Sequence, residues 1–206
     1  MALQEFTPHY ETRRYDLANL RGVDVIFFVW CAGWMSHPVL VFDFGPDGRI
    51  CISIEVRFRK GQQYSVIRSF FRQQELIFLA VDERDIILRR TKHSEGQEAY
   101  LYRLIVEIEK LKAVFLDYVD AINRLHEKPR WYNAICTNCT TSYYQLPSTR
   151  CRCDWRVIAN GRLDRALYAA GRLDTTLPFA ELHRCAYLND VANAAPAEDF
   201  QRPYSP

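Results

Sequence analysis

The chain predicts an α+β fold, a mostly antiparallel sheet packed with helices, and three observations carry that prediction. Two apolar runs, at 39–44 and 50–56, are split by Gly45-Pro46-Asp47-Gly48, a strong hairpin signal. Residues 23–29 are crowded with β-branched and aromatic side chains, the composition of a strand. Later, Leu111, Val114, Phe115, Tyr118, Val119, Ile122 and Leu125 recur at steps of three and one with polar residues between, the stripe of an amphipathic helix.

Taken in order, 23–29 is the first strand and 39–44 with 50–56 the hairpin. The stretch 64–74 has helical spacing at Val66, Ile67, Phe70 and Phe71. Short apolar runs at 76–81, 86–88 and 99–105 complete the sheet. The helix at 111–125 is a core element that Pro129 ends, because proline cannot continue the backbone ladder. Lys128-Pro129-Arg130-Trp131-Tyr132-Asn133 is structureless, and the last third is helical in short pieces. Asp154 is an N-cap, Gly161 and Gly171 punctuate the run, and 177–183 forms another short helix. The first five residues and the Ala- and Pro-rich tail at 193–206 are expected to be loosely ordered.

With 206 residues, 49% hydrophobic and 14% aromatic, the chain can bury a sizeable core and is most economically a single domain over 1–206. A net charge of +2 gives no electrostatic case for nucleic acid, and the scattered arginines read as a solvated surface with ion pairs. The longest apolar run, 23–35, is too short to span a bilayer and contains Asp24. The first residues lack a signal peptide's basic and apolar regions, so any membrane attachment is expected outside this chain.

Seven cysteines are present. Cys31 and Cys51 lie in apolar strand-like runs and read as inert core thiols. Of the other five, Cys139 stands apart. It sits in Thr137-Asn138-Cys139-Thr140-Thr141, where the structureless stretch gives way to helical chain. A thiol on the first turn of a helix faces the positive end of the macrodipole, which favours thiolate. Its plainer reading is a buried or structural thiol.

A nucleophilic thiol needs a base, and His37, at the mouth of the strand that begins with Val39, is the first choice. Alone, a satisfied strand-edge histidine is the better reading. His9 and His93 lie in polar loops, and His126 and His183 on helices are the reserves. Glu55, on the strand paired with that of His37, is the third member that would hold the imidazole tautomer; an ion pair with Arg57 or another arginine is the equal alternative. Cys136, Cys139, Cys151 and Cys153 compete as a structural zinc site, with one common CxxC spacing and one less common CxC. A thioredoxin-like role for Cys136-Thr-Asn-Cys139 is weaker, since no strand of the expected kind leads into it.

Many short motifs run in the order of one family: Arg21-Gly-Val-Asp24, Ser36-His37 before Leu40-Val-Phe-Asp-Phe44, Ser53-Ile-Glu55, Phe71-Arg72-Gln73, Glu75-Leu76, Asp82-Glu-Arg-Asp85, Trp131-Tyr132-Asn133, Thr137-Asn-Cys-Thr-Thr141, Asp154-Trp-Arg156 and Asp174-Thr-Thr-Leu-Pro-Phe-Ala-Glu-Leu182. The chain resembles the Lnb N-terminal periplasmic domain from about Phe6 to Leu188. That family is named for bacterial lipoprotein N-acyltransferases. The resemblance implies a circularly permuted papain-like (NlpC-type) cysteine enzyme in which the histidine strand precedes the cysteine helix, the order of His37 and Cys139. It also implies a location in the periplasm or on the outer face of the inner membrane. Cys136, Cys151 and Cys153 look like additions to the family's pattern.

The expected chemistry is acyl transfer, or hydrolysis, through a Cys139 thioester on a lipid-linked or peptide substrate, with no cofactor unless zinc is bound. Trp34, Trp131 and Tyr132, taken as exposed, and Asn138 are the expected substrate-binding residues, although ordinary packing is the commoner role of any single one. A non-catalytic periplasmic module that holds a peptide or lipid in the same cleft, or a zinc-stabilised structural domain, are the competing functions.

Overall fold

Five antiparallel strands position the candidate site, and a computed structural model describes them within residues 10–57, 74–92, 97–132, 146–147 and 160–194. They are β1 (Gly22–Trp30), β2 (Met35–Asp43), β3 (Arg49–Arg57), β4 (Glu75–Val81) and β5 (Glu98–Arg103), in the order β4-β3-β2-β1-β5. The expected hairpin is β2–β3, closed by a 3-10 turn at Gly45–Asp47. Gly45 and Gly48 hold φ of 56° and 94°, a left-handed backbone that only glycine adopts without strain.

Side chains alternate between the two faces of the sheet, and both faces are covered by helices. On one face Ile26, Phe28, Val39, Val41 and Cys51 pack under Ile86 and Ile87 of α1 (Glu83–Lys92) and Ala192 of α5 (Asn189–Ala194). On the other, Val23, Phe42, Ile52 and Ile54 pack under Leu111, Val114 and Tyr118 of α2 (Ile108–Glu127). Beside them Val25, Phe27, Tyr100 and Tyr102 meet α3 (Leu163–Ala169) and α4 (Phe179–Cys185). Burial on both faces is why β1, past Asp24, reads as a continuous apolar run over 25–30 rather than an alternating one.

The structure revises several expectations. Residues 86–88 are not a strand but the middle of α1; a short apolar run does not distinguish a buried helix from a strand by periodicity, and acidic Glu83 and Asp85 in its first turn mark a helix start. Cys31 is exposed, because β1 ends at Trp30 and the apolar run continues into the turn. In that turn Cys31 and Ala32 hold φ of 53° and 52°, a strained conformation for residues with a Cβ. The helical stripe of α2 is core at Leu111, Val114 and Tyr118, whereas Val119 faces outward. That helix ends at Glu127, just before Pro129. Asn193 and Ala194, expected in the loose tail, belong to α5. The stretch at 64–73, Asp154 and the remainder of the tail lie outside the described residues.

Candidate active site

His37 is the third residue of β2, and a gap in the sheet puts it to use. The β1–β2 ladder runs without interruption to Trp30↔Met35, but the β2–β3 ladder runs only from Asp43↔Arg49 to Leu40↔Ile52. Pro38 has no N–H to donate, and pairing with β3 stops short of it. Beyond that point β3 stays paired to β4 as far as Arg57↔Glu75. His37 of β2 and Ser53 and Glu55 of β3 therefore occupy neighbouring strands where side chains, not backbone, bridge the sheet.

The side chains are in direct contact. His37 Nε2 lies 2.8 Å from Ser53 Oγ and 3.2 Å from Glu55 Oε1. Ser53 Oγ donates to Glu55 Oε1 at 2.8 Å, and Arg90 of α1 donates from Nη2 to the same oxygen at 2.5 Å. The guanidinium of Arg90 also stands 5.8 Å from the ring centroid of Phe28, the β1 residue opposite His37. Because the Ser53 hydroxyl spends its proton on Glu55, its lone pair accepts from His37 Nε2–H. A neutral ring so held carries its own lone pair on Nδ1, which makes Nδ1 the basic nitrogen.

Burial alone would raise the carboxyl of Glu55. The charge and hydrogen bond of His37, the charge of Arg90 and the Ser53 hydroxyl outweigh it and hold Glu55 far below the usual carboxylate range. Glu55 is thus an anion at any physiological pH. His37 is only 6% exposed, so this anion acts on the imidazole through little intervening water.

A second charged cluster occupies the same face at the opposite end of the strands. Buried Asp24 receives Arg49 at 2.5 Å and Arg103 at 2.7 Å, and Arg49 Nε approaches Glu83 of α1 at 2.8 Å. Burial raises the carboxyls of Asp24 and Glu83, an effect offset only in part, by Arg49 and Arg103 at Asp24 and by Arg49 at Glu83. Arg49 joins this ion-pair network to α1, so that helix is pinned by charge at both ends: Glu83 to Arg49 and Arg90 to Glu55.

The other expected residues fall as follows. Trp34, 73% exposed, is in the β1–β2 turn, and Trp131, 50% exposed, bridges Glu75 at the start of β4; both stand at the His37 end of the sheet. Tyr132 is not an exposed wall: it is 9% exposed and part of the core, because its N–H is drawn to Gln74 O beside β4. A 3-10 turn at Asn160–Arg162 packs on the Trp34 turn, where Gly161 N donates to Trp34 O and a Cβ on Gly161 would stand 2.1 Å from Gly33 O. Cys139 and Asn138 lie outside the described residues, as do Cys136, Cys151 and Cys153 of the alternative zinc site. Among the described residues no group of three or more His, Cys, Asp or Glu side chains could hold a metal ion.

Of the reserve histidines, His126 is exposed at the end of α2. His183 is bound to Tyr102 Oη at 2.7 Å on the opposite face of the sheet. His9 and His93 lie outside the described residues. Cys51 is buried, which drives its thiol well above the ordinary value, as an inert core thiol requires. Ser53 and Arg90 are the site residues that sequence reasoning missed. Ser53-Ile54-Glu55 alternates, which already puts Ser53 and Glu55 on one face, but reading 86–88 as a strand hides Arg90.

The family model described as the Lnb N-terminal periplasmic domain matches residues 6–157, which includes His37, Ser53, Glu55, Arg90 and Cys139 and ends short of Leu188. No curated protein and no solved structure matches the chain. The family's description is a periplasmic one, and the domain is accordingly periplasmic; no helix among the described residues is long and apolar enough to cross a membrane.

Proposed function

The chain belongs to the Lnb N-terminal periplasmic domain family, and on that premise we propose that it is a cysteine-dependent acyltransferase or hydrolase, with Cys139 as nucleophile and His37 as general base. The observation that carries this reading is the His37–Ser53–Glu55 chain of hydrogen bonds, closed by Arg90. A carboxylate that stays ionised and grips Nε2 fixes one tautomer and stabilises the imidazolium, the service a general base needs. The permuted papain-like arrangement accounts for why histidine and carboxylate lie on adjacent strands while the nucleophile comes much later in the chain.

In the proposed reaction, His37 Nδ1 takes the proton of Cys139 and the sulfur attacks an ester or amide carbonyl. The tetrahedral intermediate collapses to a thioester as His37 returns the proton to the departing alcohol or amine. The same nitrogen then deprotonates the acceptor, a lipoprotein amine or water, whose attack releases the thiol. Trp34 and Trp131 offer apolar walls at this end of the sheet for a lipid-linked or peptide substrate.

The test uses a p-nitrophenyl acyl ester as a generic donor. Peptide mass mapping should find the acyl group on Cys139, and Cys139→Ala or His37→Ala should each lower p-nitrophenol release at least about a hundredfold. Acylation elsewhere, or full turnover in either variant, removes the assignment in favour of a binding module. One zinc per chain, with unfolding on chelation, would instead assign Cys139 to a structural site.

A further inference from the structure

We infer that Arg90 is a positioning residue that restrains the basicity of His37, so that Glu55 orients the imidazole without locking it in the protonated form. The inference deepens the catalytic reading and rests on it for its use, though not for its physics.

A buried carboxylate in contact with an imidazole does two things at once. It fixes the ring, and it stabilises the imidazolium, which raises the pH at which the ring gives up its proton. A general base that is already protonated at working pH cannot accept one, so an unopposed Glu55 would impair the residue it orients. Arg90 addresses that conflict geometrically. Its Nη2 sits 2.5 Å from Glu55 Oε1, the oxygen also contacted by Ser53 and His37, so part of the anion's field is met by a cation before it reaches the ring. Phe28 beneath the guanidinium and the two buried isoleucines of α1 keep Arg90 at that distance. Among the described residues, the groups set against His37 include Phe28 of β1, Ser53 and Glu55 of β3, and Arg90 of α1 reached through Glu55.

The two charges therefore act on His37 with opposite sign. Removing the anion (Glu55→Gln) makes imidazolium harder to form, and removing the cation (Arg90→Gln) leaves Glu55 unopposed and makes it easier. A residue that merely braced the fold would move both titrations the same way or neither.

The experiment is an NMR titration of the His37 ring in full-length, ¹⁵N-histidine-labelled protein. It is carried out in a Cys139→Ala background so that no thiol shares the proton, with His37 assigned by the resonance missing from His37→Gln. Relative to that background, Glu55→Gln should lower the midpoint by about one unit and Arg90→Gln should raise it by about one unit. Arg90→Lys, which keeps the charge, should stay near the starting value and decides the matter should Arg90→Gln fail to fold. An unchanged or lowered midpoint in Arg90→Gln overturns the inference, as does an Arg90→Lys midpoint raised by about a unit. With Cys139 restored, Arg90→Gln should slow p-nitrophenyl ester turnover about tenfold through kcat, leaving KM unchanged. Opposed midpoints without any Cys139 acylation would sink the catalytic reading and leave the electrostatic one standing.

Discussion

At the scale of single residues, Glu55 is the side chain whose charge matters most. Its carboxyl is depressed in the folded chain by His37, Arg90 and Ser53 against the opposing effect of burial. A group depressed on folding adds stability that is complete above its unfolded value, here 4.5, and is lost as pH falls below it toward the folded value. Glu55→Gln cannot titrate, so the stability gap between wild type and Glu55→Gln should be widest above about pH 5 and narrow steadily toward pH 3. Urea midpoints across that range measure it, and a gap that widens in acid would contradict the assignment. His37 reads from the chain as a histidine at the mouth of a strand, and the structure sets it inside β2; Glu55 was legible because it is an acid among apolar strand residues, where burial demands a partner. Ser53 was not, since a serine inside a strand is unremarkable until a histidine is found 2.8 Å away.

Among the elements, α1 decides the character of the site. It reads as a strand by composition, yet as a helix it sets Glu83 and Arg90 two turns apart and uses them to reach Arg49 and Glu55. The Asp24–Arg49–Glu83 end is as buried as the His37–Glu55 end, and a buried pair that loses one partner leaves a charge without compensation. Asp24→Ala should therefore cost about 3 kcal/mol in urea denaturation, against a few tenths for the exposed helix pair removed by Asp120→Ala. Equal effects for the two variants would show that the buried network carries no such weight. The Gly-Pro-Asp-Gly hairpin and α2 were visible beforehand, because turn chemistry and a seven-residue apolar stripe are local signals that tertiary context had no reason to override.

For the whole molecule, the central strands serve two cores at once. Phe42 is fully buried against Phe115 and Tyr118 of α2, while its neighbours in β2, Val39 and Val41, pack on the opposite face under α1. Phe42→Ala should cost about 3–5 kcal/mol, and because the two cores share β2 the loss should lower one common unfolding midpoint. Tryptophan fluorescence and far-ultraviolet circular dichroism should shift together; separate transitions would show the two layers to be independent.

Periodicity, turn residues and motif order, all properties of neighbours along the chain, are enough to specify the α+β class, the hairpin, the long helix and the family. That Tyr132 is core, that Cys31 is exposed and that Arg90 reaches Glu55 emerges only once the chain has folded. Those depend on which surfaces meet across the sheet: the distance from Arg90 to Glu55 spans thirty-five positions of sequence and 2.5 Å of space, and no local pattern encodes it.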